Sequence, residues 1–200
     1  MPAEAQVVDS VVEPLYDTQT ILAAGALALT YFQVPIGQGS SNFAAAATTT
    51  KQLADTNMTL AGQLSAGFNF DLLGFRAQPA FTLTPADARN WSAGGSFTFT
   101  IATKPYLRVP LDTIPAGCGP TGYGGATVDA LGRAMAHGIP DLRNSYTIGK
   151  KPLRLSQSQN FNVVLNWVAL SPVTSIVPVQ VAPGLPVRVY MDGFSIRPVQ

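Results

Sequence analysis

Short runs in which hydrophobic and polar residues alternate recur along the chain. In Ser96–Thr103, SFTFTIAT, the side chains of Phe97, Phe99 and Ile101 share one face and threonines occupy the other. A period of two residues predicts a half-buried β-strand. The same pattern predicts strands in FNFDLLGF (68–75), NFNVVLNWVAL (160–170) and PVRVYMDGFSIRPV (186–199), and more weakly in NMTLAGQL (57–64) and KPLRLSQ (151–157).

The runs 68–75, 160–170 and 186–199, taken in that order, also predict which side chains face the core. These are Phe68, Phe70 and Leu72 in the first run, Phe161, Val163, Leu165 and Trp167 in the second, and Val187, Val189 and Met191 in the third. The third run breaks at Gly193. A glycine inside a strand pattern indicates a β-bulge, after which Phe194 and Ile196 resume the alternation.

The uncharged run Ile21–Ile36, ILAAGALALTYFQVPI, fits a membrane span, a signal peptide, a helix or a strand. Its densely apolar part ends at Phe32 and is shorter than the roughly 20 residues that a span needs. The chain starts with acidic residues and has no Lys or Arg before Lys51, which argues against a secretory signal. From Leu27 onward, aromatic, Thr and Val side chains closed by Pro35 favour a strand of about 7–9 residues, buried on much of both faces.

Helical signals are few and short. One helix is predicted in TPADARNW (84–91), with Thr84 as N-cap, and another in ATVDALGRAMAHG (126–138), with Thr127 as N-cap. Strands without regular strand–helix alternation predict an all-β fold, an antiparallel β-sandwich. The length of 200 residues favours a single jelly roll with the two short helices in connecting loops. The predicted organisation is an N-terminal acidic arm (1–17) and a jelly-roll domain (18–200).

Charged residues are scarce and unevenly distributed. They make up 12% of the chain, against a usual figure near 25%. The tracts Thr18–Thr50 and Leu155–Val187 contain no Asp, Glu, Lys or Arg. Because interface centres are depleted in Lys, Glu and Asp, these tracts favour a subunit whose sides are buried in an assembly. The alternative is a neutral, threonine-rich secreted surface.

The sequence offers little catalytic or metal-binding chemistry. His137 is the single histidine and Cys118 the single cysteine, too few for a metal-binding cupin or a zinc site. A Cys118–His137 nucleophile pair is formally possible, but a cysteine in a loop and a histidine in a last helical turn have ordinary structural explanations. We therefore predict no enzyme activity, no cofactor and no metal.

Other side chains bear on possible ligands. Lys150, Lys151 and Arg154 form the only basic cluster and predict a solvated strand edge. The acidic arm would repel phosphate, so we expect no sequence-specific nucleic-acid binding. Trp91 and Tyr123, in predicted loops, are candidate sugar-stacking residues, as is Tyr106, whereas Trp167 alternates with core residues. A carbohydrate-binding β-sandwich, a lectin or adhesin domain, is the alternative function.

An uncharged β-sandwich with long loops and no active-site constellation resembles a viral capsid subunit of the single jelly-roll type, over about Leu15–Val199. No motif of fixed residues carries this resemblance, so no functional residue is transferred. The resemblance implies a structural virion protein that forms an icosahedral shell with its own copies and other capsid proteins. The lack of a basic arm looks more like a tailless bacteriophage. The expected contact segments are Pro2–Tyr16, Gly37–Thr50 and Ile114–Gly125.

Overall fold

The protein is described by a computed structural model for residues 8–22, 26–43, 49–79, 91, 94–117, 144–157, 159–167 and 184–198. Within these ranges it is an all-β protein with one 3-10 turn, Leu111–Thr113. The strands are β1 (Val8–Val12), β2 (Leu15–Leu22), β3 (Ala28–Tyr31), β4 (Asn69–Pro79), β5 (Gly95–Ile101), β6 (Lys104–Pro110), β7 (Tyr146–Thr147), β8 (Leu153–Leu155), β9 (Phe161–Trp167) and β10 (Gly184–Pro198). The predicted helix 126–138 lies outside the described residues. The predicted helix 84–91 also lies outside them, except for its last residue, Trp91.

The strands form two antiparallel sheets. In the larger sheet, β10 is central and pairs with β4 on one side and with both β1 and β2 on the other. β7 and β8 follow one another along the far side of β4. The smaller sheet has the order β3–β9–β5–β6. The fold is therefore an antiparallel two-sheet protein, as the alternating runs predict.

Aromatic side chains join the two sheets. Phe75 of the larger sheet packs against Phe97 and Phe99 of the smaller sheet, with ring centroids 5.0 and 4.9 Å apart. Of the core positions predicted before the break at Gly193, only Phe68 is partly exposed. The buried predicted positions are Phe70, Leu72, Phe97, Phe99, Ile101, Phe161, Val163, Leu165, Trp167, Val187, Val189 and Met191. Alternation along β4, β5, β9 and the first part of β10 therefore identifies the core correctly.

The strand predicted from Leu27 onward is shorter and less buried than expected. β3 covers only Ala28–Tyr31, and Tyr31 is its one fully buried side chain. The strand ends because Phe32 takes a positive φ of 68°, which turns the backbone out of the sheet. The described part of the chain contains no helix with the length and hydropathy that a membrane span requires.

Two further predictions need correction. NMTLAGQL (57–64) forms no strand, only a single bridge between Leu60 and Gln63, because Gly62 has a φ of 62°. The bulge is present opposite Gly193, but the extra residue, Leu73, lies on β4. Because β10 itself continues without an extra residue, Phe194 opposite Asp71 and Ile196 opposite Asn69 face outward rather than into the core.

Part of the predicted arm is sheet. Residues 8–12 and 15–17 belong to β1 and β2, which pair with β10 along its length. The sequence pattern does not indicate β6, because the strand contains Pro105 and Pro110 and proline is disfavoured inside a sheet. It is tolerated because it is an edge strand of the smaller sheet in the described residues.

Gly193 provides a test of the bulge packing. A Cβ at this position would lie 2.2 Å from the Asp71 carbonyl oxygen and 2.8 Å from the Phe70 ring. We expect Gly193→Ala to lower the free energy of unfolding by about 1–3 kcal/mol, as overpacking does. The control is Gly149→Ala, where nothing lies within 4 Å and the change should stay within about 0.5 kcal/mol. Urea denaturation measures both, and equal effects would contradict the packing argument.

Candidate interaction surface

Three neighbouring strands of the smaller sheet carry no ionisable Asp, Glu, Lys, Arg or His. They are β3, β9 and β5, which lie side by side. β3 belongs to the charge-free tract Thr18–Thr50 and β9 to the tract Leu155–Val187, so their pairing joins the two tracts. β5 extends the uncharged region by a third strand.

The outward side chains of these strands form an uncharged surface, here called the neutral face. It has three rows across the sheet: Ala28–Asn166–Ser96, Thr30–Val164–Thr98, and Asn162–Thr100. Each of these side chains is exposed or partly exposed. The first charge beyond it is Arg108 on β6, opposite Thr98 at the edge of the sheet.

The chemistry of the neutral face suits contact with another protein. Burying a charge is costly unless it is paired, and this face has no charge to desolvate. Hydroxyl and amide groups can each donate and accept hydrogen bonds, so they can pair across a contact. The Oδ1 atom of Asn162 is already shielded from solvent, and it has no hydrogen-bond partner in the described part of the chain.

The larger sheet carries charges on its outer face, namely two ion pairs and Arg188, whose Nε donates to the Thr18 hydroxyl. Arg76 binds Asp192 through two hydrogen bonds of 2.7 and 2.6 Å. Arg154 binds Asp71 in the same way, at 2.8 and 2.9 Å, and its hydrogen bonds lower the pKa of the Asp71 carboxyl. The two sheets therefore present outer faces of different chemistry.

A buried ion pair, here called the latch, fixes the long connection between β3 and β4. The Oδ1 atom of Asp17 lies 2.5 Å from the Nζ atom of Lys51, and both side chains are almost fully buried. The Phe32 amide donates to Oδ2 of the same carboxylate at 2.7 Å. Burial raises the pKa of the Asp17 carboxyl, while the Lys51 ammonium and the Phe32 amide oppose that rise.

The latched connection covers the free edge of β2. The Tyr16 carbonyl accepts hydrogen bonds from the Thr56 hydroxyl at 2.9 Å and the Asn57 amide at 3.3 Å. The Tyr16 amide in turn donates to Oδ1 of Asn57 at 2.9 Å. An uncovered strand edge is a template for wrong pairing, and here the chain pairs that edge itself.

Asp55 holds the turn of this connection. Its carboxylate accepts hydrogen bonds from the amides of Asn42 at 2.7 Å and Gln52 at 3.0 Å. Burial opposes ionisation of Asp55, but these hydrogen bonds outweigh it and lower the pKa of the carboxyl.

The candidate sugar platform at Trp91 is wrong. Its side chain is 7% exposed and packs on Trp167 with ring centroids 5.3 Å apart, so it belongs to the core. Trp167 is buried as predicted, and its Nε1 donates to the Trp91 carbonyl at 3.1 Å. Tyr106 is 46% exposed, with the Lys104 ammonium 5.1 Å from its ring centroid.

The other candidate chemistry falls partly outside the described residues. Tyr123, Cys118 and His137 are all outside them. The described ranges hold no group of three or more His, Cys, Asp or Glu side chains that could bind a metal.

The expected contact segments are described in part. In Gly37–Thr50, Asn42 is buried against Thr18, while Phe43 is 43% exposed and packs on Arg188. In Ile114–Gly125, Ile114 is buried and the Pro115 carbonyl accepts from the Ala77 amide at 3.0 Å. These pieces are anchored to the chain that carries them, and their contact with other copies stays a prediction.

Sequence reasoning missed the latch and the neutral face. The signal for the latch is that Asp17 and Lys51 are the charges that bound the tract Thr18–Thr50. The signal for the neutral face is two charge-free tracts, but nothing in the sequence shows that β3 pairs with β9. Comparison with protein-family models, curated proteins and solved structures gives no match.

The latch can be tested by a double-mutant cycle. Lys51→Met leaves the Asp17 carboxylate buried without its partner. Asp17→Asn leaves the Lys51 ammonium buried without its partner. We expect each to lower the free energy of unfolding by about 3–5 kcal/mol. The double variant should cost less than the sum, with a coupling of about 0.5–3 kcal/mol. The control is Arg154→Met, which breaks the pair with Asp71. Because the Arg154 side chain is 62% exposed, this change should lower the free energy of unfolding by about 1 kcal/mol or less. Urea denaturation gives all four values, and strict additivity would contradict the latch.

Asp55 predicts a pH dependence. A carboxyl whose pKa is lowered by folding stabilises the protein above its unfolded-state pKa of 3.8, and that contribution is lost as the pH falls through the folded-state value. The loss of stability in Asp55→Asn should therefore be largest at neutral pH and shrink once the pH is below 3.8. Urea denaturation across this pH range measures it, and a difference that grows on acidification would exclude the assignment.

Proposed function

We propose that this protein is a capsid subunit, a structural component of a virion, that assembles with its own copies and with other capsid proteins. The observation that carries the proposal is the neutral face: three adjacent strands without a charge on a chain whose other sheet carries charged residues on its outer face. An isolated soluble protein normally has charged residues of both signs over its surface. The neutral face is explained if other subunits cover it.

The pairing order of the strands supports a single jelly roll. We count β1 with β2 as one interrupted strand and β7 with β8 as another, which gives eight strands. The first then pairs with the last, the second with the seventh, the third with the sixth and the fourth with the fifth. This nested order arises when one long antiparallel hairpin winds into two sheets, which is the jelly roll of many capsid proteins.

The carbohydrate-binding alternative has less support. It needs exposed aromatic side chains around a shallow groove, and of its candidates in the described residues Trp91 is buried and Tyr106 alone is exposed. We also propose that the protein is not an enzyme and acts in the virion, with assembly as its activity. In a tailless bacteriophage, the type of virus that the acidic arm favours, such a subunit needs no basic arm to condense the genome.

The oligomeric state of the full chain tests the proposal. We expect light scattering and electron microscopy to show capsomers or shells far larger than the 21.0 kDa chain. A stable monomer, particularly one that binds glycans on an array, would refute the proposal and favour the alternative.

A lysine placed on the neutral face should block assembly. Val164 lies between Thr30 and Thr98 at the centre of the face. Because a buried unpaired charge is costly, we expect Val164→Lys to weaken assembly by at least about tenfold in analytical ultracentrifugation. Ala66→Lys, at an exposed turn, is the control and should assemble like wild type. Thermal melting checks that both are folded, and equal assembly of the two folded variants would contradict a role for this face.

A further inference from the structure

The larger sheet has open strand edges on both of its sides in the described residues. β1 pairs only with β10 on one side, and β7 and β8 pair only with β4 on the other. The β2 edge is different, because Thr56 and Asn57 cover it. Open edges are natural places for a strand of another chain to pair.

The two open edges carry opposite charge. Asp9 and Glu13 are exposed at the β1 edge, and Lys150 and Lys151 are exposed beside β8. Within the described ranges, Glu13 and both lysines have no ion pair, and Asp9 reaches Arg197 only at 3.8 Å. Each edge is therefore complementary to the other, and two copies of the same edge repel.

The strand directions fit the same arrangement. β1, β10, β4 and β8 alternate in direction across the sheet, since each neighbouring pair is antiparallel. β1 and β8 thus run in opposite directions. When a second copy continues the sheet in the same orientation, its β1 lies antiparallel to the β8 of the first copy.

We propose that the β1 edge of one copy docks head to tail against the β8 edge of the next, with Glu13, which follows β1, facing Lys150 and Lys151, which precede β8. Complementary charges set the orientation of such a contact, and like charges exclude the head-to-head and tail-to-tail alternatives. The contact is heterologous, so it builds a ring where the rotation closes. This inference rests on the proposed assembly function and adds the partner surfaces and their polarity.

Two charge reversals and their mixture test the contact. Lys151→Glu offsets the charge of Lys150 and places a negative side chain at the β8 edge, and Glu13→Lys places a positive side chain at the β1 edge. In analytical ultracentrifugation of the full chain at low ionic strength, we expect each variant alone to assemble about tenfold more weakly than wild type. An equimolar mixture should recover most of that loss, because the negative charge introduced at the β8 edge of one variant meets the positive charge introduced at the β1 edge of the other.

The controls carry the same change of charge elsewhere. Lys104→Glu on β6 matches Lys151→Glu, and Asp112→Lys in the 3-10 turn matches Glu13→Lys; all four side chains are exposed. Both controls should assemble like wild type. If the reversals assemble normally, if mixing restores nothing, or if the controls are equally impaired while wild type assembles, the head-to-tail contact is wrong and the capsid proposal stands. If wild type itself does not assemble, both proposals fail.

Discussion

The buried ion pair between Asp17 and Lys51 is the interaction on which the closed edge of β2 depends. It holds the connection between β3 and β4 against β2, and the same carboxylate anchors Phe32, where β3 ends. The connection then covers the β2 edge through Thr56 and Asn57. In the described residues, the edges left open on the larger sheet are those of β1, β7 and β8, and β2 is the strand that the latched connection closes.

The ion pair contributes more to fixing the position of this connection than to the free energy of unfolding. Removing two charges from water is expensive, and even a close ion pair recovers that cost only in part. Burial raises the pKa of Asp17 despite Lys51 beside it, which is the direction expected where desolvation exceeds the attraction. What the charges add is a requirement for one arrangement, because any shift of the connection leaves a buried charge unpaired.

Much of the fold can be predicted from the sequence where one face of a strand is buried and the other is wet. β5, β9 and the first part of β10 have this environment, and alternation identifies their buried residues. It fails for β6, an edge strand with two prolines, and for β1 and β2, whose acidic residues resemble a solvated arm. It also misplaces Phe194, because the residue that shifts the register lies on β4, a partner far away in sequence.

The candidate surface is predictable only in its composition, since its shape depends on long-range pairing. Two neutral tracts indicate buried sides, but β3 and β9 are far apart in the chain and become neighbours through the nested strand order. The charges of the two open edges can also be found in the sequence. They predict no contact until the strand order places them on opposite sides of the sheet.

In the assembly proposed here, the neutral face and the charged edges would complement one another. A face without charge can lose its water cheaply, but its hydroxyl and amide groups favour no single partner orientation. Exposed ion pairs contribute little energy each, about 0–1 kcal/mol, yet they discriminate strongly between like and opposite charge. In such an assembly the neutral face would supply the buried area, and the charged edges would set the orientation of neighbouring copies. No individual contact would need to be strong, because repetition around a closed ring adds many weak contacts.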